Sequence, residues 1–194
     1  TSANPIAVQA VAEELVKWRA GESGHKVQAV ILKNPVNEDS ALWLGNIERL
    51  EKAGVKVMAV HRGCNHHPCW QMAYYLQQQR PDIPMLLDPS HLSGRASAIP
   101  DLCLKAQQLG YQGWMVETHI VPVQALSDAK QQITPMELEK IMGAMGVTDT
   151  ENKELNWLRS MIDEVDDDLW QTIAKRLAIC EKIGAWKKEH GVPI

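Results

Sequence analysis

No apolar run in this sequence approaches the roughly 18 residues that a helix needs to cross a bilayer, and no secretory signal is visible. Cysteine is scarce. Cys64, Cys69, Cys103 and Cys180 are too few and too scattered for a disulfide framework, which points to a reducing, cytoplasmic setting. Charge of one sign is lacking too: a formal net charge of −4 gives neither nucleic acid nor an anionic membrane a reason to bind. Phenylalanine is absent beside seven tryptophans, a bias for which the sequence offers no physical reason. An initiating methionine is also missing, and Thr1-Ser2-Ala3-Asn4-Pro5 is not a natural start, so upstream sequence is expected. What is present is ordinary for a globular protein: 45% hydrophobic and 23% charged residues, in 194 residues, enough for one domain with a core plus an appendage.

Four segments rich in β-branched and aliphatic residues recur at nearly equal intervals: 27–32, 55–60, 83–87 and 113–116. Helix-period stretches fall between and after them, at 40–53, 70–79, 99–109 and 135–145, with an earlier one at 5–18. Near-continuous apolar strands alternating with helices predict a parallel sheet covered on both faces. Every strand ends in polar residues able to do chemistry: Lys33 and Asn34, His61 and Arg62, Asp88 and His91, Glu117 and His119. A doubly wound sheet would gather such residues at one switch point, whereas a (β/α) barrel spreads them around one face. The pattern therefore predicts four strands of a (β/α)₈ barrel, half of the complete ring.

After Gly146 the character changes. A polar joint at 148–152 leads into an unbroken helical pattern to about Glu189. Leu155, Leu158, Ile162, Val165, Leu169 and Ile173 step by three and four, as an amphipathic seam requires. Some 35 helical residues span about 50 Å, too long for the wall of a small domain. The seam must meet other helices or a second subunit.

His91, Glu117 and Asp128 combine an imidazole with two carboxylates, a ligand set suited to divalent Mn, Fe, Co or Zn. Spacing alone leaves His91 open between metal ligand and hydrogen-bonded structural residue. Lys33 and Arg62, at strand ends around a barrel mouth, can supply positive charge for a phosphate or carboxylate, or pair with a neighbouring carboxylate. Cys64-Asn65-His66-His67-Pro68-Cys69 packs four potential zinc ligands into six residues, but the spacing fits no structural zinc site, and an ordinary barrel loop is expected.

Several motifs then stand in one order: Lys33-Asn34-Pro35-Val36-Asn37, His61-Arg62-Gly63, Asp88-Pro89-Ser90-His91, Glu117-Thr118-His119 and Ala125-Leu126-Ser127-Asp128. Over residues 1–147 they resemble 3-deoxy-7-phosphoheptulonate (DAHP) synthase, in the short-barrel type fused to a C-terminal chorismate mutase. The resemblance implies condensation of phosphoenolpyruvate with erythrose 4-phosphate, with His91, Glu117 and Asp128 as metal ligands. It also implies that Lys33 and Arg62 hold phosphoenolpyruvate, and that His61 is a proton-handling or orienting neighbour. The family's fourth metal ligand, a Cys on the first strand, and its Lys-Pro-Arg-Thr segment for erythrose phosphate have no counterpart here. The Gly63–Cys69 loop is shorter than in relatives. Little or no activity is expected from the 194 residues alone.

Residues 148–194 resemble a joint and the first helix of the all-helical chorismate mutases, through Leu158-Arg159, Ile162-Asp163, Lys175-Arg176 and Ile183-Gly184 with Lys187. The resemblance implies that Arg159, Arg176 and Lys187 bind chorismate or prephenate. Arg176 and Lys187 lie about 16 Å apart on one face, whereas Arg159 is about 25 Å from Arg176, beyond one small ligand. A homodimer through this helix follows. Two alternatives remain: an octulosonate-phosphate synthase on the same barrel, and a non-catalytic module that dimerises and senses prephenate.

Overall fold

The computed structural model describes residues 3–19, 27–65, 67–144 and 153–192. The polar joint at 148–152, His66, Met145 at the expected end of the 135–145 helix, and Pro193 lie outside these. Tertiary contacts divide the chain into two compact units, Thr1–Trp157 and Leu158–Ile194.

In the first unit, α1 (Pro5–Arg19) precedes β1 (Ala29–Lys33), α2 (Ser40–Lys52), β2 (Lys56–His61), α3 (Trp70–Gln79) and β3 (Met85–Leu87). A short helix α4 (Pro89–Ser93) follows, then α5 (Ile99–Gln108), β4 (Gly113–Trp114) and α6 (Pro135–Ala144). The strands form one parallel sheet in the order β1-β2-β3-β4, in register Lys33↔Val60, His61↔Leu87 and Leu87↔Trp114 at their C-terminal ends. Because all run the same way, the residues that follow each strand emerge at one end of the sheet, as in a barrel.

Local sequence explains most of these elements. Asp39 caps α2 by accepting the Leu42 N–H at 2.8 Å, and Trp43, Asn46, Ile47 and Leu50 then bury one helical stripe against the sheet. Arg80, just past α3, forks onto Glu51 at 2.7 and 2.8 Å and ties that helix to α2. Strand β4 is shorter than the pattern predicts. After Met115, which still donates to Leu87, the chain turns to Ile133: Ile133 N–H donates to Glu117 at 3.1 Å and His119 N–H to Ile133 at 3.0 Å. That detour carries Glu117 over the sheet end. Ile99, Cys103, Ile133 and Ile141 close the core beneath it.

Helix α7 runs from Lys153 to Glu189. Its first turn packs within the barrel unit: buried Trp157 donates from Nε1 to the Leu109 carbonyl at 3.1 Å and lies 5.7–6.0 Å, centroid to centroid, from Tyr111, Tyr74 and Trp70. In the second unit the seam residues Leu158, Ile162, Val165, Leu169 and Ile173 are all exposed. No helix among the described residues is long and apolar enough to cross a membrane.

Candidate functional site

The site grows from the end of β3. Asp88 caps α4, with Pro89 preset for the first helical position, and its Oδ1 accepts the His91 backbone N–H at 3.0 Å. The same carboxylate, almost wholly buried, accepts from Lys33 Nζ at 2.6 Å and contacts His91 Nδ1 at 2.9 Å through Oδ2. Occupying Nδ1 in this way leaves Nε2 as the outward nitrogen of His91, and it points to Glu117 Oε1 at 3.5 Å.

Glu117 is fixed at both ends. Its backbone N–H donates to Ser90 Oγ at 3.1 Å, and its Oε2 accepts from Gln131 Nε2 at 3.0 Å. Asp128 adopts a left-handed backbone, φ 53°, immediately before a 3₁₀ turn, Ala129–Gln131. The short polar side chain of an aspartate tolerates that conformation better than most residues do. His91, Glu117 and Asp128 each offer one ligand atom, all within 4.8 Å of one another, the one such group among the described residues. Bonds of about 2.1 Å to a tetrahedral divalent ion separate its ligand atoms by about 3.4 Å, so side-chain rotations of about an ångström would close the triad. The carboxylate behind His91 is the support that a metal-binding imidazole ordinarily has. The donor set and its backing fit a divalent cation.

Lys33 and Arg62 both stand at the C-terminal end of the sheet, half-buried. Lys33 is not a free cation: its ion pair with Asp88 joins it to the group that backs His91. His61 sits elsewhere. It is completely buried on the helix side of the sheet, with Nδ1 bonded to Tyr111 Oη at 2.8 Å and its ring against Trp43, Trp70 and Tyr111. Nε2 has no well-formed hydrogen bond, the Pro68 carbonyl offering only a weak acceptor. Of the two roles expected for His61, orienting fits this enclosure and proton transfer to a ligand does not. Burial pushes its pKa down to about 4 from 6.5 and keeps the imidazole neutral, while burial pushes the Tyr111 phenol up.

That shift has a thermodynamic consequence. The folded pKa lies below the unfolded one, so the unfolded chain binds the extra proton between those values. His61 stability is complete above pH 6.5 and is lost as pH falls toward about 4. The span corresponds to roughly 3 kcal/mol. Urea unfolding of the parent and of His61→Phe at about pH 7 and about pH 4.5 measures it. The substitution should flatten the acid limb, and equal losses in both proteins would refute the assignment.

In the Cys64–Cys69 segment, Cys64 N–H donates to the His67 carbonyl at 2.8 Å and His67 N–H to the Cys64 carbonyl at 2.9 Å, and both cysteines are buried. Arg159 and Arg176 are exposed on α7 and Lys187 is half-buried. Asp88, Ser90 and Gln131 were not anticipated as supports of the triad. Asp88 carried a signal, since Asp-Pro before a helix marks a cap; Gln131 carried none.

Comparisons with known proteins converge on one family and one neighbour. Residues 19–154 match the DAHP synthetase I family, and residues 158–194 match chorismate mutase type II. Phospho-2-dehydro-3-deoxyheptonate aldolase of Thermotoga maritima is 38% identical over 72 residues, which is 34% of this chain and 21% of that protein. The crystal structure of phospho-2-dehydro-3-deoxyheptonate aldolase (DAHP synthase) from Thermotoga maritima is 26% identical with a TM-score of 0.54, covering 59% of this chain and 36% of that one. A truncated form of 3-deoxy-D-arabino-heptulosonate 7-phosphate synthase from the same organism is 25% identical with a TM-score of 0.57, covering 72% of this chain and 54% of that one. The chain spans from about a fifth to about half the length of these relatives.

Proposed function

The chain belongs to the DAHP synthetase I family, and from that premise we propose that the protein carrying it condenses phosphoenolpyruvate with erythrose 4-phosphate and, through α7, rearranges chorismate to prephenate. In this reading residues 1–147 are a half-barrel and 148–194 a joint and mutase helix, at work in the cytoplasm. The observation that carries it is the meeting of His91, Glu117 and Asp128 within 4.8 Å at the sheet end where Lys33 and Arg62 emerge.

His91 Nε2, a Glu117 oxygen and an Asp128 oxygen would hold a divalent metal of the Mn, Co, Fe or Zn class. Such an ion, when bound, polarises the aldehyde carbonyl as a Lewis acid toward the enol carbon. Lys33 and Arg62 grip the phosphate and carboxylate of phosphoenolpyruvate, and Arg62 has the planar fork for a bidentate contact. Asp88 keeps Lys33 and His91 in fixed relation, so the anion site and the ligand site move as one. His61 holds the end of β2 from behind without touching substrate.

Arg159, Arg176 and Lys187 bind the dicarboxylate of chorismate or prephenate. A unimolecular rearrangement needs only orientation and charge matching, which a cationic site supplies without a nucleophile or base. The exposed seam and the separation of Arg159 from Arg176 support a homodimer in which each site draws on both helices.

One experiment separates the two activities. Chelation should abolish condensation, as followed by phosphoenolpyruvate consumption, and leave chorismate turnover intact. Arg176→Ala should do the reverse, cutting chorismate turnover at least about 100-fold. Condensation indifferent to chelation sinks the metal assignment, and unchanged turnover in the variant sinks the helix assignment.

A further inference from the structure

Asn34 has a completely buried side chain whose amide is fully used where β1 ends. Its Oδ1 accepts the Arg62 backbone N–H at 2.7 Å, while Nδ2 donates to the Pro35 carbonyl at 2.7 Å and to the Gly63 carbonyl at 3.1 Å. A flipped amide would set donor against donor and acceptor against two carbonyls, so the network admits one orientation. Its backbone N–H meanwhile donates to the Val60 carbonyl at 2.9 Å, the last main-chain rung between β1 and β2. The ladder should stop there. Instead the side chain serves as a substitute peptide group and carries it past the end of β2, onto the Arg62–Gly63 peptide.

Two features make this clamp consequential. Asn34 follows Lys33 directly, so one residue sets the spacing between the two cations of the pocket. Gly63 turns in the left-handed region, φ 70°, and a Cβ there would lie 2.4 Å from the His67 carbonyl oxygen, so the turn after Arg62 has little freedom once the amide has closed on it. Losing the amide would leave the buried Pro35 and Gly63 carbonyls and the partly buried Arg62 N–H without this partner.

We propose that Asn34 is a positioning residue for anion binding: by holding the Arg62–Gly63 peptide it aims the Arg62 guanidinium at the anionic groups of phosphoenolpyruvate, which Asn34 itself never touches. This rests on the proposed role of Arg62. A residue that acts only through Arg62 weakens ground-state binding of the anion and does little to the bond-forming step.

The test is steady-state kinetics in the protein as its gene encodes it, for Asn34→Ala, Asn34→Asp, Arg62→Ala and the double variants, with thermal unfolding beside each. Asn34→Ala should raise the KM for phosphoenolpyruvate about 10- to 100-fold with kcat within about 3-fold of the parent. Asn34→Asp keeps the acceptor for the Arg62 N–H, loses both donors, and should fall between. In the Arg62→Ala background the further effect of either Asn34 variant should shrink below about 2-fold, because the group it positions is gone. A full-sized effect in that background overturns the proposal, as does an unchanged KM in the Asn34 variants while Arg62→Ala raises it. An unchanged KM in Arg62→Ala overturns the reading of Arg62, and the proposal with it. Should Asn34→Ala not fold, Asn34→Asp carries the cycle; failure of both to fold would make Asn34 a requirement of the sheet and overturn the proposal as well.

Discussion

On the proposed assignment, replacing His91 by alanine should abolish divalent-metal binding and lower condensation at least about 1000-fold, while the proposed chorismate rearrangement on α7 continues. The effect is large because His91 is the best-supported member of the triad. Its Nδ1 is held by the almost wholly buried Asp88 carboxylate at 2.9 Å, and its Nε2 faces Glu117 Oε1 at 3.5 Å. Alanine leaves the Glu117 and Asp128 carboxylates without the imidazole beside them. It also removes one of the two side chains that engage Asp88, leaving Lys33 at 2.6 Å. The substitution thus reaches the proposed metal ligands and, through Asp88, the lysine proposed to hold the anion. Metal content after gel filtration and phosphoenolpyruvate consumption are the two measurements. A variant that retains a full equivalent of metal, or most of its condensation rate, would show that His91 is a structural histidine.

The second large effect is on stability. Gly63→Ala should destabilise the barrel unit by roughly 3 kcal/mol, from about 1 kcal/mol for a side chain in the left-handed region and the rest from steric overlap. Gly63 sits at φ 70°, and its new Cβ would fall 2.4 Å from the His67 carbonyl oxygen and 3.1 Å from Leu92 Cγ. The first of these is backbone, locked by the reciprocal Cys64–His67 hydrogen bonds, so it cannot give way as a side chain would. Gly45→Ala is the matched contrast. That position lies inside α2, meets only the flexible tip of Arg49 at 3.3 Å, and should be neutral or gain up to about 1 kcal/mol from helix propensity. Thermal unfolding of the two variants reads the difference. A Gly63→Ala protein as stable as Gly45→Ala would mean that the turn after Arg62 is far more pliant than its hydrogen bonds indicate.

The elements were legible to within a few residues because their signals are local. The helix-period stretch at 40–53 appears as α2, where Trp43, Asn46, Ile47 and Leu50 bury one stripe behind the Asp39 cap. The exception is instructive: β4 is short because Glu117 and His119 pair with Ile133, some fifteen residues on, and no window along the strand contains that partner. The site shows the same division. His61 and Arg62 are chemically alike as pocket candidates, but neighbouring residues of a strand face opposite sides, so only one could reach the mouth. That rule was available from the sequence, and His61 lies on the helix side among Trp43, Trp70 and Tyr111.

The sequence by itself determined which residues could do chemistry and the order in which strands would deliver them, since both depend on residue type and on periods of two and 3.6 along the chain. It determined the shape of α7 and the reach of its three cations for the same reason. Only the tertiary structure decided how those residues are held: Lys33 on Asp88 across 55 positions, Gln131 behind Glu117, and the Asn34 amide around the Arg62 peptide. Those contacts join segments far apart in the chain. Whether a buried polar group finds its partner depends on where the whole sheet places it, and no local preference encodes that.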